Sequence, residues 1–301
     1  LSIALTTLII SVSGLRGIVG ETLIPEVAIR YACAFAEQMP AGPIIIARDS
    51  RPSGRMLAEA IHAGLNAAGR NTLDAGIIAT PTVGVLVRQN RAAGAIQISA
   101  SHNPSPYNGM KLFSDAGRVI PAGPGALVLE RYKSGQLHWA AHDEIGSRGN
   151  LRDTVSAHLQ SVLDIVDVEK IRRRKFKVLL DANHGAGAKL GRRLLEELGC
   201  NVTILGEMPD GLFEHTPEPT AENLAGVCAS VVEAGADIGF CQDPDADRLA
   251  VIDADGRYIG EEYTVALCVE HVLRQTPGTI VTNCSSSRMA QDLAERSKAP
   301  F

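Results

Sequence analysis

Hydrophobic positions along this chain twice pass from a short continuous run to a four-residue spacing. Ile44-Ile45-Ile46 is a β-branched run closed by Asp49, Pro52 and Gly54, after which Leu57, Ile61 and Leu65 recur until Gly69. That is the pattern of a buried strand followed by an amphipathic helix. The same order returns at Val178-Leu179-Leu180, with Asp181, Gly185 and Gly187, then Leu190, Leu194, Leu198 and Gly199. Asp49 and Asp181 lie 132 residues apart, Gly69 and Gly199 lie 130 apart. Strand, turn, helix and next strand in that order predict βαβ units and a mixed or parallel sheet.

The repeat continues beyond the helices. Gly94-Ala95-Ile96 matches Gly235-Ala236-Asp237-Ile238, and the stretch from Lys111 to Ile120 matches that from Ala250 to Ile259. Each of these last stretches reads as a hairpin around a glycine turn. The reading is two copies of one α/β domain, at residues 1–150 and 151–259, meeting where Ser147-Arg148-Gly149-Asn150 breaks the pattern. A third copy begins at 260–301, with Thr279–Asn283 as its strand, Ser285-Ser286-Ser287 as its turn and a helix to about Ser297. A lone strand and helix cannot bury their apolar faces, so the chain reads as C-terminally incomplete, and Leu1 need not be the native N-terminus. The fold class is α/β, with repeated domains whose mixed sheets are flanked by helices.

Composition narrows the function. The 301 residues are 45% hydrophobic and 21% charged, with 34 acidic and 29 basic side chains for a net charge of −5. This balance gives no reason to expect a nucleic-acid surface, so a bound phosphate would be held by local groups. No apolar run reaches the ~20 residues that span a bilayer. Residues 1–10 have no basic residue ahead of them, and no signal peptide is expected. Six scattered cysteines without a C-x-x-C pair point to buried thiols in a reducing cytoplasm.

The two copies diverge in one equivalent loop. The first carries Ser99-Ala100-Ser101-His102-Asn103-Pro104, with Tyr107-Asn108-Gly109 and Lys111 following; the second carries Asp243-Pro244-Asp245-Ala246-Asp247-Arg248. In an extended segment, residues two apart lie roughly 6.6 Å apart on one face. Two carboxylates there repel by roughly 2.5 kcal/mol at an effective dielectric of 20. Three alternating aspartates between apolar strands therefore call for a hard cation such as Mg²⁺. A calcium loop fails because Arg248 stands where glycine is needed and Ala254 where glutamate is needed. An aspartyl-phosphate motif fails because Asp247 replaces the required threonine. Ser-His-Asn-Pro is no nucleophile elbow, and His102, adjacent to Ser101, faces away from it on a strand. Opposite a metal loop, Ser101 is a candidate phosphate carrier: phosphorylated, it would bear about −1.5 to −2 charges, which Mg²⁺, Arg and Lys can neutralise.

Ser13-Gly14-Leu15-Arg16-Gly17, the Ser101-His102-Asn103-Pro104 loop with Lys111, and Asp243 to Arg248 together resemble the α-D-phosphohexomutases. That family embraces phosphoglucomutase, phosphomannomutase and phosphoglucosamine mutase. The resemblance spans nearly the whole chain and implies four α/β domains around a cleft, the first three of one topology. It implies that phosphoserine 101 donates to a hexose phosphate, that a bisphosphate turns over in the cleft, and that its other phosphate returns to Ser101. It implies that Asp243, Asp245 and Asp247 hold Mg²⁺ with a phosphoserine oxygen. Arg16, Lys111 and Arg248 would stabilise the transferring charge, Lys111 would also serve proton transfer, and His102 and Asn103 would shape the loop. The wording around Ser101 looks nearest to phosphoglucosamine mutases, with phosphomannomutase/phosphoglucomutase as the alternative. A metal-dependent phosphatase and a non-catalytic fragment are the competing readings.

The family's Gly-Glu-x-Ser sugar loop and its fourth-domain phosphate loop are not visible; Gly260-Glu261-Glu262-Tyr263 reads as the start of a helix. The polypeptide as given is accordingly expected to turn over poorly. The partners implied are a sugar phosphate, without nucleic acid or membrane, in a monomer or homodimer. Gly185-Ala186-Gly187 is read as a backbone turn, Arg172 to Lys175 as a solvated helix terminus and Trp139 as packing; His184 and His215 receive no role.

Overall fold

The computed structural model describes residues 8–12, 14–284 and 286–301. Ser13 of the first motif, Ser285 and residues 1–7 of the N-terminal run lie outside the described residues. Through residue 150 the elements are β1 (Ile9–Ser11), β2 (Gly14–Ile18), α1 (Pro25–Glu37), β3 (Ile44–Arg48), α2 (Pro52–Ala67), β4 (Thr72–Ile77), α3 (Thr80–Asn90), β5 (Gly94–Ile98), β6 (Tyr107–Ser114), α4 (Ala122–Ser134) and β7 (Arg148–Asn150). These strands form one sheet in the order β1-β2-β6-β5-β3-β4-β7. β3 runs parallel to β4 and β5, and β6 runs antiparallel to β5 and β2.

The central run explains itself. Ile44 and Ile46 pack with Tyr31, Phe35, Leu57, Ile61 and Leu65 of α1 and α2, whereas Ile45 and Ala47 pack with Val83, Leu86 and Val87 of α3. A strand with helices on both faces has no polar side, so its sequence is continuously apolar. Proline stands in the first turn of α1, α2 and α3, where its missing N–H costs nothing. Ser147 to Asn150, expected to break the pattern, instead include β7, an edge strand parallel to β4.

Farther along lie α5 (Ser156–Leu163), α6 (Val168–Arg174), β8 (Lys177–Asp181), α7 (Ala188–Glu197), β9 (Asn201–Leu205), α8 (Ala225–Glu233), β10 (Ile238–Gln242) and β11 (Leu249–Asp253). Their sheet has the order β11-β10-β8-β9, with β8 parallel to β9 and β10, and β10 antiparallel to β11. Strand for strand this repeats β6-β5-β3-β4. The duplication read from the sequence is therefore a duplication of topology.

Four further expectations are corrected. The second arm of each hairpin is a single bridge, Phe113 to Val119 and Ile252 to Tyr258, with no strand beyond it among the described residues. Thr279–Asn283 is not a strand: Ile280 packs on Ala290 and Ala294 and donates its N–H to Pro300 O. Among the described residues no strand pairs with that segment, and an extended segment without a ladder gains nothing from straightness. Trp139 is 51% exposed, and Cys268 and Cys284 are exposed where buried thiols were expected; all six cysteines are free. Two last helices, α9 (Glu261–Gln275) and α10 (Met289–Ser297), follow. α9 starts at Gly260-Glu261, as read, and Thr264 ties it to Leu249 O.

No helix among the described residues is long and apolar enough to cross a membrane. The loops that matter leave the carboxyl ends of parallel strands: Asp49 to Arg51 after β3, Ser99 to Asn103 after β5 and Asp243 to Arg248 after β10. Ligands of open α/β sheets gather at such ends.

Candidate functional site

The serine loop and the acidic loop touch. Ser101 is 2% exposed, and its hydroxyl donates to Asp243 Oδ2 at 2.7 Å. Its backbone is left-handed, with φ of 51°, a conformation that costs a non-glycine residue roughly 1–3 kcal/mol. The Ser101 N–H donates to Ser99 Oγ at 2.8 Å. The other Asp243 oxygen accepts the Asp247 and Arg248 N–H groups at 3.1 Å each, which closes the acidic turn. Ala246, in the middle of that turn, is also left-handed.

Asp243 and Asp245 are fully buried. Burial, followed by repulsion from Asp245 and Asp247, pushes the Asp243 carboxyl well above the usual range. Burial alone would raise Asp245 too, but the Lys111 ammonium at 2.6 Å and the Thr80 hydroxyl outweigh it and hold Asp245 below the ordinary value. Lys111 also donates to Asp247 Oδ2 at 2.6 Å. Its own burial would lower it, yet the two carboxylates win and keep it an ammonium.

The donor set fits a hard divalent cation. Asp243, Asp245 and Asp247 each place an oxygen within 4.8 Å of the others. Asp245 Oδ1 is buried without a hydrogen-bond partner. A buried anionic oxygen that no N–H or O–H satisfies is a strong acceptor aimed at a cation.

The remaining expected residues surround the same space. Ser101, Arg16, Asn103, Lys111, Asp247 and Arg248 line a cavity of about 480 Å³. Arg16 Nη1 donates to Asn103 Oδ1 at 2.9 Å, so the first motif steadies the serine loop. Arg248 reaches to within 3.9 Å of Glu261, at the start of α9. His102 is half-buried with Nδ1 lacking a partner; burial, then the Arg248 charge, lowers its pKa. Ser101 bonds to Asp243 and not to His102, so His102 is not the serine's base.

Three residues that matter here escaped the sequence reading. Arg51, paired with Asp49, grips the serine loop through main-chain carbonyls; Thr80 from α3 binds Asp245; Phe213 covers Arg51. The Asp49-Ser50-Arg51 spacing at a strand end was the one visible signal. His184 and His215, given no role, anchor a loop: His184 bonds to Met208 O and ion-pairs with Asp210, and His215 bonds to Asp181 at 2.8 Å.

Models described as phosphoglucomutase/phosphomannomutase alpha/beta/alpha domain I and domain II match residues 8–137 and 156–256. A phosphoglucomutase/phosphomannomutase of Thermococcus kodakarensis is 38% identical over 293 residues, covering 95% of this chain and 64% of its own. A protein of Methanopyrus kandleri named "Probable phosphoglucosamine mutase" is 32% identical over 283 residues, covering 93% and 62%. The chain thus spans less than two thirds of the length of these relatives. A solved structure from Thermus thermophilus superposes with a TM-score of 0.87 at 23% identity over 97% of this chain and 68% of that one, which speaks to fold alone. A phosphoglucomutase/phosphomannomutase family protein from Burkholderia thailandensis gives 0.74 at 27% identity, over 97% and 70%.

Proposed function

The chain belongs to the phosphoglucomutase/phosphomannomutase family, and on that premise we propose that it forms the phosphoryl-donor half of a phosphohexomutase, an isomerase moving phosphate between O1 and O6 of a hexose. The observation that carries the reading is the 2.7 Å hydrogen bond between Ser101 Oγ and Asp243. It joins a hydroxyl suited to carry phosphate to a carboxylate cluster suited to a cation.

In the reaction, the bond from phosphorus to Ser101 Oγ breaks and a bond from phosphorus to a sugar hydroxyl forms. The hydroxyl proton ends on Ser101 Oγ. The second phosphate of the resulting bisphosphate then returns to Ser101 by the same exchange in reverse. Asp243, Asp245 and Asp247 would hold Mg²⁺, which when bound supplies charge neutralisation to the transferring phosphoryl group. Lys111, kept charged by Asp245 and Asp247, would steady the same charge, and the family resemblance gives it the proton transfer. Arg16 and Arg248 line the space a sugar phosphate would enter, and Asn103 is fixed by Arg16. His102 shapes the loop.

Among substrates, hexosamine phosphate is the reading the Ser101 loop favours, and relatives bearing both phosphoglucosamine mutase and phosphoglucomutase/phosphomannomutase names stand beside it. Intact mass is the test. Incubation with a hexose bisphosphate adds about 80 Da to the peptide holding Ser101 in the wild type and nothing in Ser101→Ala. A Ser101→Ala protein that still isomerises glucosamine, glucose or mannose phosphates at the wild-type rate overturns the reading.

A further inference from the structure

Arg51 is among the largest fully buried side chains of the molecule, and all five of its N–H bonds are used. Nε donates to Asp49 Oδ2 at 3.2 Å. Nη2 donates to Ser101 O at 2.7 Å and Asn103 O at 2.6 Å; Nη1 donates to Pro104 O at 2.9 Å and Tyr107 O at 3.2 Å. Four main-chain carbonyls of one loop, from residue 101 to residue 107, converge on a single guanidinium. Pro104 O also accepts the Tyr107 N–H at 3.0 Å, but the guanidinium alone gathers all four, and no lysine can satisfy four acceptors in one plane.

Internal repetition supplies a control. Asp181 and Asn183 occupy the equivalent turn after β8, and the Asn183 N–H donates to Asp181 Oδ1 at 3.0 Å just as the Arg51 N–H donates to Asp49 Oδ1 at 3.0 Å. The turn itself therefore needs aspartate and not arginine. Each copy uses the third position to hold a different loop. Asn183 takes the Glu214 N–H at 2.9 Å and donates to His215 O at 3.1 Å. The loop so held carries Phe213, whose ring lies 5.2 Å from the Arg51 guanidinium. Gly211 makes the approach feasible: it is left-handed, and a Cβ there would sit 2.5 Å from Ser50 O.

We infer that Arg51 is a positioning residue for phosphoryl transfer, holding the 101–107 loop in the left-handed bend that presents the Ser101 hydroxyl to the acidic loop, with Phe213 closing the guanidinium off from water. This rests on the mutase reading. Among the described residues Arg51 makes no hydrogen bond to Asp243, Asp245 or Asp247; its charge does reach Asp245, and Arg51→Lys keeps that charge while removing the planar grip on the serine loop. Misplacement of a reacting atom by about 1 Å costs on the order of 100-fold in rate.

The experiment follows the rate of phosphoryl gain at Ser101 from a hexose 1,6-bisphosphate in the intact protein, with Mn²⁺ titration alongside. In folded Arg51→Lys the rate at saturating bisphosphate is expected to fall about 100-fold, while the half-saturating bisphosphate and Mn²⁺ concentrations shift less than about threefold. Should Arg51→Lys not fold, Phe213→Ala leaves the guanidinium but wets it, and a loss of threefold or more with unchanged Mn²⁺ binding supports the same role. Transfer within threefold of wild type in folded Arg51→Lys overturns it, as does an unchanged rate in Phe213→Ala when that variant stands in. A wild-type protein that never takes phosphate at Ser101 instead brings down the mutase reading, and this inference with it.

Discussion

Thr80 and Asp245 are joined twice across the two copies: the Thr80 N–H donates to Asp245 O at 2.8 Å, and the Thr80 hydroxyl donates to Asp245 Oδ2. Thr80 opens α3 in the first sheet's layer, so a helix N-terminus, with its partial positive charge, faces a buried carboxylate of the other copy. Thr80→Val keeps the shape and deletes the hydroxyl. Groups that orient metal-binding carboxylates are worth roughly 10–100-fold in affinity. The expected result is Mn²⁺ or Mg²⁺ binding weakened at least about tenfold by calorimetric titration; unchanged binding would show that Asp245 needs no such support.

Asp49 is fully buried beside Arg51, and burial raises its pKa to about 6 against the pull of that guanidinium. Removing one partner of a buried pair leaves the other uncompensated, at roughly 3–5 kcal/mol. Asp49→Ala should therefore lower stability by about that amount in denaturant unfolding. Asp49→Leu combined with Arg51→Met should not recover it, because removing both charges still strips the carbonyls of the 101–107 loop of their donor, and it should leave Ser101 slow to accept phosphate. Recovery of stability and transfer together would mean the pair serves folding only.

What the sequence disclosed, and what it hid, divides along a physical line. Ser101, Lys111 and the three aspartates were legible because their chemistry is carried by side-chain type at short spacing. The βαβ order was legible because a short continuous apolar run and a four-residue spacing are local patterns. Arg51 was not, because its partners are carbonyls 50 or more residues away, and a carbonyl has no residue identity. Thr80 was hidden similarly, its partner lying 165 residues on in the other copy. Thr279–Asn283 misled for the opposite reason: its β-branched residues have strand propensity, but propensity without a pairing neighbour does not make a strand.

His62 sets an acid limit on stability. The ring is 2% exposed, bonds to Thr72 at 2.8 Å, and burial, then the Arg148 charge, lowers its pKa to about 4. In the unfolded chain the value returns to about 6.5. Between these values the unfolded chain binds a proton that the folded one refuses at His62, so the His62 contribution to stability falls as pH drops from about 6.5 to about 4, by up to about 3 kcal/mol. The raised pKa of Asp49 contributes with the opposite sign. His62→Gln should flatten this part of a stability-versus-pH profile. A profile of the same slope in the variant would assign the acid limit elsewhere.

Lys111 supplies the positive charge that Asp245 and Asp247 share, at 2.6 Å from each. A divalent cation at the three aspartates would share these carboxylates with the ammonium, so each relieves part of the charge of one acidic turn. Lys111→Met takes away the ammonium. Without added metal, the variant leaves Asp245, 0% exposed, facing Asp243 and Asp247 with only Thr80 beside it, and it should be less stable than wild type by about 3 kcal/mol. Adding Mg²⁺ should raise its thermal midpoint more than it raises that of wild type, because binding at 100 times the dissociation constant stabilises by about 2.7 kcal/mol and the ammonium that shares the carboxylates is gone. The pair of midpoint shifts, with and without Mg²⁺, decides the matter. Equal shifts in both proteins would mean that the lysine and the ion do not share ligands, and that Lys111 acts on the phosphate alone.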